Sequence, residues 1–190
     1  MLIGNQKLSQ SDRKKFRFLL FIIILLNLLM ACSVINVQKG VSLSSTERWR
    51  ILPFQNYSQT PRAGEQAEEM LATLFRIRGV PNIEIYQQHD EDKSGWPEFN
   101  DRKFQENALL LATKDNVSYA IAGSVNEWQY KLGVGSEPSV GLTIRIIEIP
   151  SGKVIWSASG ARSGWSTESL NATAQKLLRD MISSLEIQKI

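Results

Sequence analysis

Apolar residues recur at helical spacing in three stretches of this chain and at strand spacing in five. Ala63, Ala67, Met70, Leu71, Leu74 and Phe75 line one face of a helix. Thr60 is placed to cap it, Pro61 to occupy its first position, where a missing N–H costs nothing, and Glu65 to face the positive end of the helix dipole. Gly79-Val80-Pro81 stops the run. Phe104, Ala108, Leu111 and Ala112 repeat the pattern from Asp101 until Asp115-Asn116, and Leu170, Ala174, Leu177, Leu178, Met181 and Leu185 repeat it near the end, with Ser166 or Thr167 as the cap. The strands are Trp49-Arg50-Ile51-Leu52-Pro53-Phe54, closed by its proline, Ile83-Glu84-Ile85-Tyr86, and the small apolar run 119–125 that continues to Tyr130. Residues 140–146 then alternate by twos, and residues 153–159 follow a tight turn at Pro150-Ser151-Gly152. The order β-α-β-α-β-β-β-α predicts an α/β (α+β) fold. Its mixed β-sheet has helices packed on it, parallel in its first half and an antiparallel meander in its second.

A different pattern occupies the N-terminus. Arg13, Lys14, Lys15 and Arg17 precede a 13-residue apolar run, residues 18–30, interrupted only by Asn27. As a helix that run measures about 20 Å against a hydrocarbon thickness of about 30 Å, too short to serve well as an uncleaved anchor. Basic start, short apolar core and small Ala31 together read as a secretory signal. Leu29-Met30-Ala31-Cys32 resembles the lipobox of bacterial lipoproteins, and Cys32, the only cysteine, is the expected site of acylation by palmitate and related chains. The expected organisation is a lipoprotein signal peptide over 1–31, the lipidated cysteine and a tether over 32–47, and one globular domain over 48–190. The tether is expected because residues 33–46 are rich in Ser, Val and Asn without a period; fully extended they reach at most about 50 Å.

The signal also changes the charge picture. The whole chain carries 22 basic and 19 acidic side chains; residues 1–32 hold five and one of these, leaving 17 and 18, a net of −1. No basic field remains to hold phosphates, so nucleic acid is not an expected partner. No thiol remains for a disulfide once Cys32 is acylated, so the fold rests on its hydrophobic core. His89, the single histidine, lies in a polar stretch without a second ligand at metal-site spacing, and no Gly-x-Ser-x-Gly, Walker A or Gly-x-Gly-x-x-Gly element occurs. A non-enzymatic protein without metal or cofactor is expected.

Three places carry candidate chemistry. Asp90, Glu91 and Asp92 lie in a polar segment with Gly95 and Pro97 and read either as a solvated acidic loop or as a surface that attracts cations. Glu127 shares a strand with the central apolar run. Burial there demands an ion pair, to Arg162 or Arg145, or a place on a subunit contact. Trp165 follows Gly164 at a strand-to-helix corner where no regular core position calls for an indole. It either packs under the loop or sits at a lipid headgroup zone.

Five blocks in one order carry a family resemblance. They are Ile51-Leu52-Pro53-Phe54-Gln55-Asn56, Thr60-Pro61-Arg62-Ala63-Gly64-Glu65, Gly123-Ser124-Val125-Asn126-Glu127-Trp128-Gln129-Tyr130-Lys131, Gly152-Lys153-Val154-Ile155-Trp156-Ser157-Ala158-Ser159-Gly160 and Ser163-Gly164-Trp165-Ser166. With the lipoprotein signal, they resemble the PelC family, outer-membrane lipoproteins of Pel exopolysaccharide export. The resemblance implies a fold related to the globular part of the curli secretion channel lipoprotein. It also implies a homo-oligomeric ring on the periplasmic side of the outer membrane, an outer-membrane β-barrel exporter as partner, and a cationic exopolysaccharide guided along an acidic face to build biofilm matrix. It places Trp165 among membrane-facing residues, and Ser33 after the cysteine implies outer-membrane sorting. Residues 87–99 are polar and carry Pro97, while residues 132–139 are short and Gly-rich. Neither supplies a transmembrane strand of about 9–11 residues, so a periplasmic collar is expected, not a pore. The competing expectation is a monomeric adaptor lipoprotein that activates a cell-wall synthase; the short tether speaks for work close to the outer membrane.

Overall fold

A computed structural model describes residues 14–21, 33–86, 101–132 and 135–188. The chain divides into two compact units, Met1–Ala31 and Cys32–Ile190. In the first, residues 14–21 are helical, and among the described residues no helix is long and apolar enough to cross a membrane.

The second unit is built from strands β1 (Ser33–Val37), β2 (Ser42–Ser44), β3 (Trp49–Ile51) and β4 (Gln55–Asn56), helix α1 (Ala63–Ile77), strand β5 (Ile83–Ile85) and helix α2 (Asp101–Lys114). Strands β6 (Tyr119–Lys131), β7 (Glu137–Glu148) and β8 (Lys153–Ser163), helix α3 (Leu170–Ile182) and strand β9 (Glu186–Gln188) complete it. Among the described residues seven strands form one sheet in the order β1-β8-β7-β6-β3-β5, with β4 also on β6. β3 runs parallel to both β5 and β6, whereas β6, β7 and β8 are antiparallel neighbours. The mixed sheet is therefore parallel first and antiparallel second, as expected.

The alternation of β7 explains the layers. Val140, Leu142, Ile144 and Ile146 are buried against α1 and α3, in a core that includes Trp49, Trp128 and Trp156. The intervening positions point to the other face, where α2 covers only one end. There Ala108 and Ala112 of the helix meet Ala120 and Ala122 of β6, with Leu52, Val117 and Ile149. Small side chains on both surfaces let helix and sheet approach closely.

The segment between β3 and β4 threads both layers. Pro53 has no N–H for a ladder, so the strand breaks there. Leu52 drops into the α2 core and Phe54 into the α1/α3 core. The Leu52 N–H still donates to the Ile121 carbonyl at 2.8 Å, and the Tyr57 N–H to that of Val125 at 2.8 Å, so β3 and β4 pair with successive parts of one strand. Phe54 is clamped: its N–H donates to Glu68 Oε1 at 2.7 Å, its carbonyl abuts Gly64, and its ring lies where a Cβ on Gly123 would be.

Three sequence expectations change. Residues 33–47, expected as a tether, begin instead with two strands. β1 pairs along its whole length with β8, from Ser33 opposite Arg162 to Val37 opposite Ala158, and β2 lies parallel to β9. Ile35 and Val37 pack on the main core and Leu43 is buried in it, an apolar gain that a composition rich in Ser and Asn conceals. Thr60 does not cap α1; its hydroxyl donates to the Trp128 carbonyl, and Arg62, in a left-handed conformation at φ 60°, precedes the helix. The cap of α3 is Ser169, not Ser166 or Thr167, with Ser169 Oγ accepting from the Ala172 N–H at 3.1 Å.

A Cβ on Gly123 would stand 2.4 Å from the Phe54 ring, which is buried in the main core. Gly123→Ala is expected to lower stability by about 1–3 kcal/mol, measured by urea unfolding; an unchanged midpoint would show that the Phe54 clamp is looser than its geometry.

Candidate membrane-facing end and open sheet face

One end of the sheet gathers the start of β1, the end of β6, the start of β7 and the end of β8. Ser33 is opposite Arg162, Ser139 is opposite Ser163, and Gln129 is opposite Ser139. Cys32 lies outside the described residues, but its neighbour Ser33 is already in register at this end.

At the β8–α3 corner the Gly164 N–H donates to the Pro138 carbonyl at 2.8 Å. A Cβ on Gly164 would fall 2.4 Å from Thr173 Oγ1 and 2.8 Å from both Glu168 Oε2 and Pro138 Cγ. With the inside filled, the next side chain, Trp165, turns outward and is 51% exposed. Glu168 anchors the corner from within through Lys176 Nζ at 2.6 Å; that hydrogen bond holds its carboxyl below the ordinary range. The β6–β7 turn comes to the same place. Gly135, at φ 134°, approaches Ser166 so closely that a Cβ would lie 3.2 Å from Ser166 Cβ, and Leu132 in the same turn is 98% exposed. Tyr130, 46% exposed, accepts the Leu170 N–H at 3.0 Å through its hydroxyl and so ties β6 to the start of α3. Leu132 and Trp165 thus belong to adjoining loops beside the β1 terminus. Leu132 was not among the sequence candidates; one leucine in a Gly-rich turn has no period to mark it.

The sheet face opposite α1 and α3, beyond the reach of α2, is open. A β-bulge between Val125 and Glu127 turns both Asn126 and Glu127 onto it. A polar ladder crosses the strands there, with Asn126 Nδ2 donating to Thr143 Oγ1 at 3.3 Å and Thr143 Oγ1 and Ser159 Oγ 3.4 Å apart, and Asn36 opposite Ser159 in register. Beside it is a shallow hollow of about 520 Å³, floored by Gly141, Gly160 and Ala161 and rimmed by Val34, Asn36, Asn126, Glu127 and Gln129.

Glu127 does have an ion pair, but not with the arginines expected. Lys131 Nζ lies 3.4 Å from Glu127 Oε1, and Gln129 Nε2 donates to the same oxygen at 3.3 Å. Arg162 instead reaches Asp180 on α3 at 2.5 Å, because it points to the helix side of β8, and Arg145 is exposed opposite Ser157 and Ala122. The bulge moves Glu127 out of line with both. Burial pushes the Glu127 carboxyl up, but hydrogen bonds from Ser139 and Gln129 together with the Lys131 charge outweigh it and hold the carboxyl below the ordinary range. Asp90, Glu91 and Asp92, like His89, lie outside the described residues. Among the described residues, no group of three or more His, Cys, Asp or Glu could hold a metal ion.

Comparison with known proteins gives a consistent result. No protein-family model and no curated protein sequence matches the chain. Among solved structures it is similar to a PelC dodecamer from Paraburkholderia phytofirmans, at 30% identity and a TM-score of 0.70, over 83% of this chain and 100% of that one. A single-residue variant of that dodecamer matches at 30% identity and a TM-score of 0.69 with the same coverage.

The corner predicts opposite responses from adjacent residues. Trp165→Ala is expected to change unfolding free energy by no more than about 1 kcal/mol, whereas Gly164→Ala, pressed against Thr173 and Pro138, is expected to cost about 1–3 kcal/mol. Thermal unfolding of the two variants checks this; a large loss in Trp165→Ala would mark the indole as structural.

Proposed function

The chain belongs to the PelC family, and from that premise we propose that it is a non-enzymatic lipoprotein of exopolysaccharide export. In this reading acyl chains on Cys32 hold it to the inner leaflet of the outer membrane, on the periplasmic side. Copies of the chain form a homo-oligomeric ring that passes a cationic polysaccharide to an outer-membrane β-barrel and so supports a biofilm matrix. The observation that carries the reading is the 30% identity extending over the entire length of a relative that is a dodecamer.

The strand β1 supports the anchoring. With pairing to β8 from Ser33 onward, the acylated residue is one peptide bond from the sheet, and no free chain separates lipid from domain. The anchor then presses the adjoining end, with Leu132 and Trp165, against headgroups. An apolar side chain contributes roughly 1.5–3 kcal/mol when fully buried, and less for a half-exposed indole, so insertion in one copy is weak and in a ring adds across subunits. A monomeric adaptor that reaches a distant synthase needs the opposite design, a long tether, and the pairing of β1 speaks against it. Asp90, Glu91 and Asp92 are the proposed acidic guide for the polymer, consistent with the net charge of −1 beyond Cys32. Glu127, on the open face and paired with Lys131, stands as the alternative subunit contact, apart from Arg145 and from Arg162 on the helix side.

Two measurements test this. The acylated protein in detergent is expected to have the mass of a multi-subunit assembly by light scattering, and a monomer at high concentration overturns the ring. In flotation with phosphatidylethanolamine and phosphatidylglycerol vesicles, Leu132→Asp combined with Trp165→Ala is expected to lower retention of a Cys32→Ser protein to background; equal retention removes this end from the membrane.

A further inference from the structure

We propose that the hollow on the open sheet face is a glycan subsite for an amino sugar, with Glu127 taking the ammonium group and Asn36, Asn126, Gln129 and Ser159 taking hydroxyls. The inference rests on the polysaccharide reading above and adds a site to it.

The chemistry of the lining selects the ligand. Among the described residues its only charge is the Glu127 carboxylate and no lysine or arginine lines it, so phosphates and acidic sugars find no counter-charge there. Nor is there an aromatic ring among the described residues for a flat base, and Val34 and Ala161 supply the apolar side chains, too little for a lipid tail. Three carboxamides and a serine hydroxyl remain, groups that both donate and accept, as a ring of sugar hydroxyls does. A volume of about 520 Å³ falls within the roughly 300–1,000 Å³ of small-molecule sites.

The floor is shaped for entry. Gly141 and Ala161 put almost no side chain on the open face, and the ladder from Asn126 through Thr143 to Ser159 fixes the polar wall before a ligand arrives. Preorganisation of this kind lowers the ordering cost of binding. Ser139 also bonds the Glu127 carboxylate, but the contacts to its Oε1 from Lys131 and Gln129, at 3.4 and 3.3 Å, sit at the long end of the hydrogen-bond range, so a closer ammonium can displace those two. A subunit contact would look different: such interfaces have an apolar or aromatic centre, whereas this face is polar and concave.

The test is calorimetry on the acylated protein in detergent with three hexasaccharides: glucosamine, N-acetylglucosamine and glucose, each β-1,4-linked. Glucosamine hexamer is expected to bind the most tightly. Glu127→Gln should weaken it about tenfold, the scale of one charged hydrogen bond, and leave the neutral hexamers unaffected. Ala161→Leu, a substitution at an exposed strand position, should block all three by filling the floor. Lys131→Ala should tighten glucosamine binding by removing the internal competitor. Wild-type affinity in Glu127→Gln overturns the subsite, as does binding lost only when Asp90, Glu91 and Asp92 are neutralised. A smaller assembly in Glu127→Gln also overturns it, by making Glu127 a subunit contact. Polymer secretion separates this proposal from its premise. Secretion lost in Cys32→Ser but normal in Ala161→Leu overturns the subsite and keeps the export role. Glucosamine binding that Ala161→Leu abolishes, in a protein whose deletion leaves polymer secretion intact, keeps the subsite and overturns the export role.

Discussion

The position of Phe54 is the constraint on which the rest of the structure depends. One proline breaks the first parallel strand, and the next side chain wedges between Gly64 of α1 and Gly123 of β6 while Glu68 accepts its N–H. The wedge fixes the distance between helix and sheet and holds β3 and β4 on successive parts of β6. It also sends Leu52 to one core and Phe54 to the other. Glu68 is buried, yet its carboxylate accepts the Phe54 N–H at the strand break, where the Pro53 carbonyl in turn accepts from Gln105. Helix α1, placed this way, completes with α3 the floor under the meander.

The meander in turn divides labour between its faces. Its helix side is an apolar layer that includes the buried Trp128 and Trp156, which leaves the other side free to be polar wherever α2 does not reach. Small residues at Gly141 and Ala161 and the bulge at Asn126 and Glu127 make that side concave. The same strands end together at the Trp165 corner. A single sheet therefore presents a polar hollow on its open face and exposed apolar residues at one end, next to the start of β1. Attachment at Cys32 would fix how both are oriented to a membrane.

Much of this was visible in the chain. The three helices follow from apolar periodicity, and the meander follows from alternation in residues 140–146 and the turn at Pro150-Ser151-Gly152, because amphipathic elements write their buried face into local spacing. Trp165 stood out because no periodic face claimed it, and it is exposed. The short strands β1, β2 and β9 were hidden. Strands of three to five residues have too few positions to show a period, and their stability comes from a partner more than a hundred residues away. Thr60 looked like a helix cap by its local sequence but bonds the Trp128 carbonyl across the fold.

What the sequence by itself determined is the class of fold, since the buried faces of helices and strands are a matter of local pattern. Tertiary structure decided which ions meet. Glu127 pairs with Lys131 and Arg162 with Asp180, because a one-residue bulge and the side of the strand set which face a charge occupies. It also decided that the stretch after Cys32 is sheet and not tether. Backbone pairing with β8 and burial of Ile35, Val37 and Leu43 outweigh the entropy of a free chain, and neither contribution is visible in those residues alone.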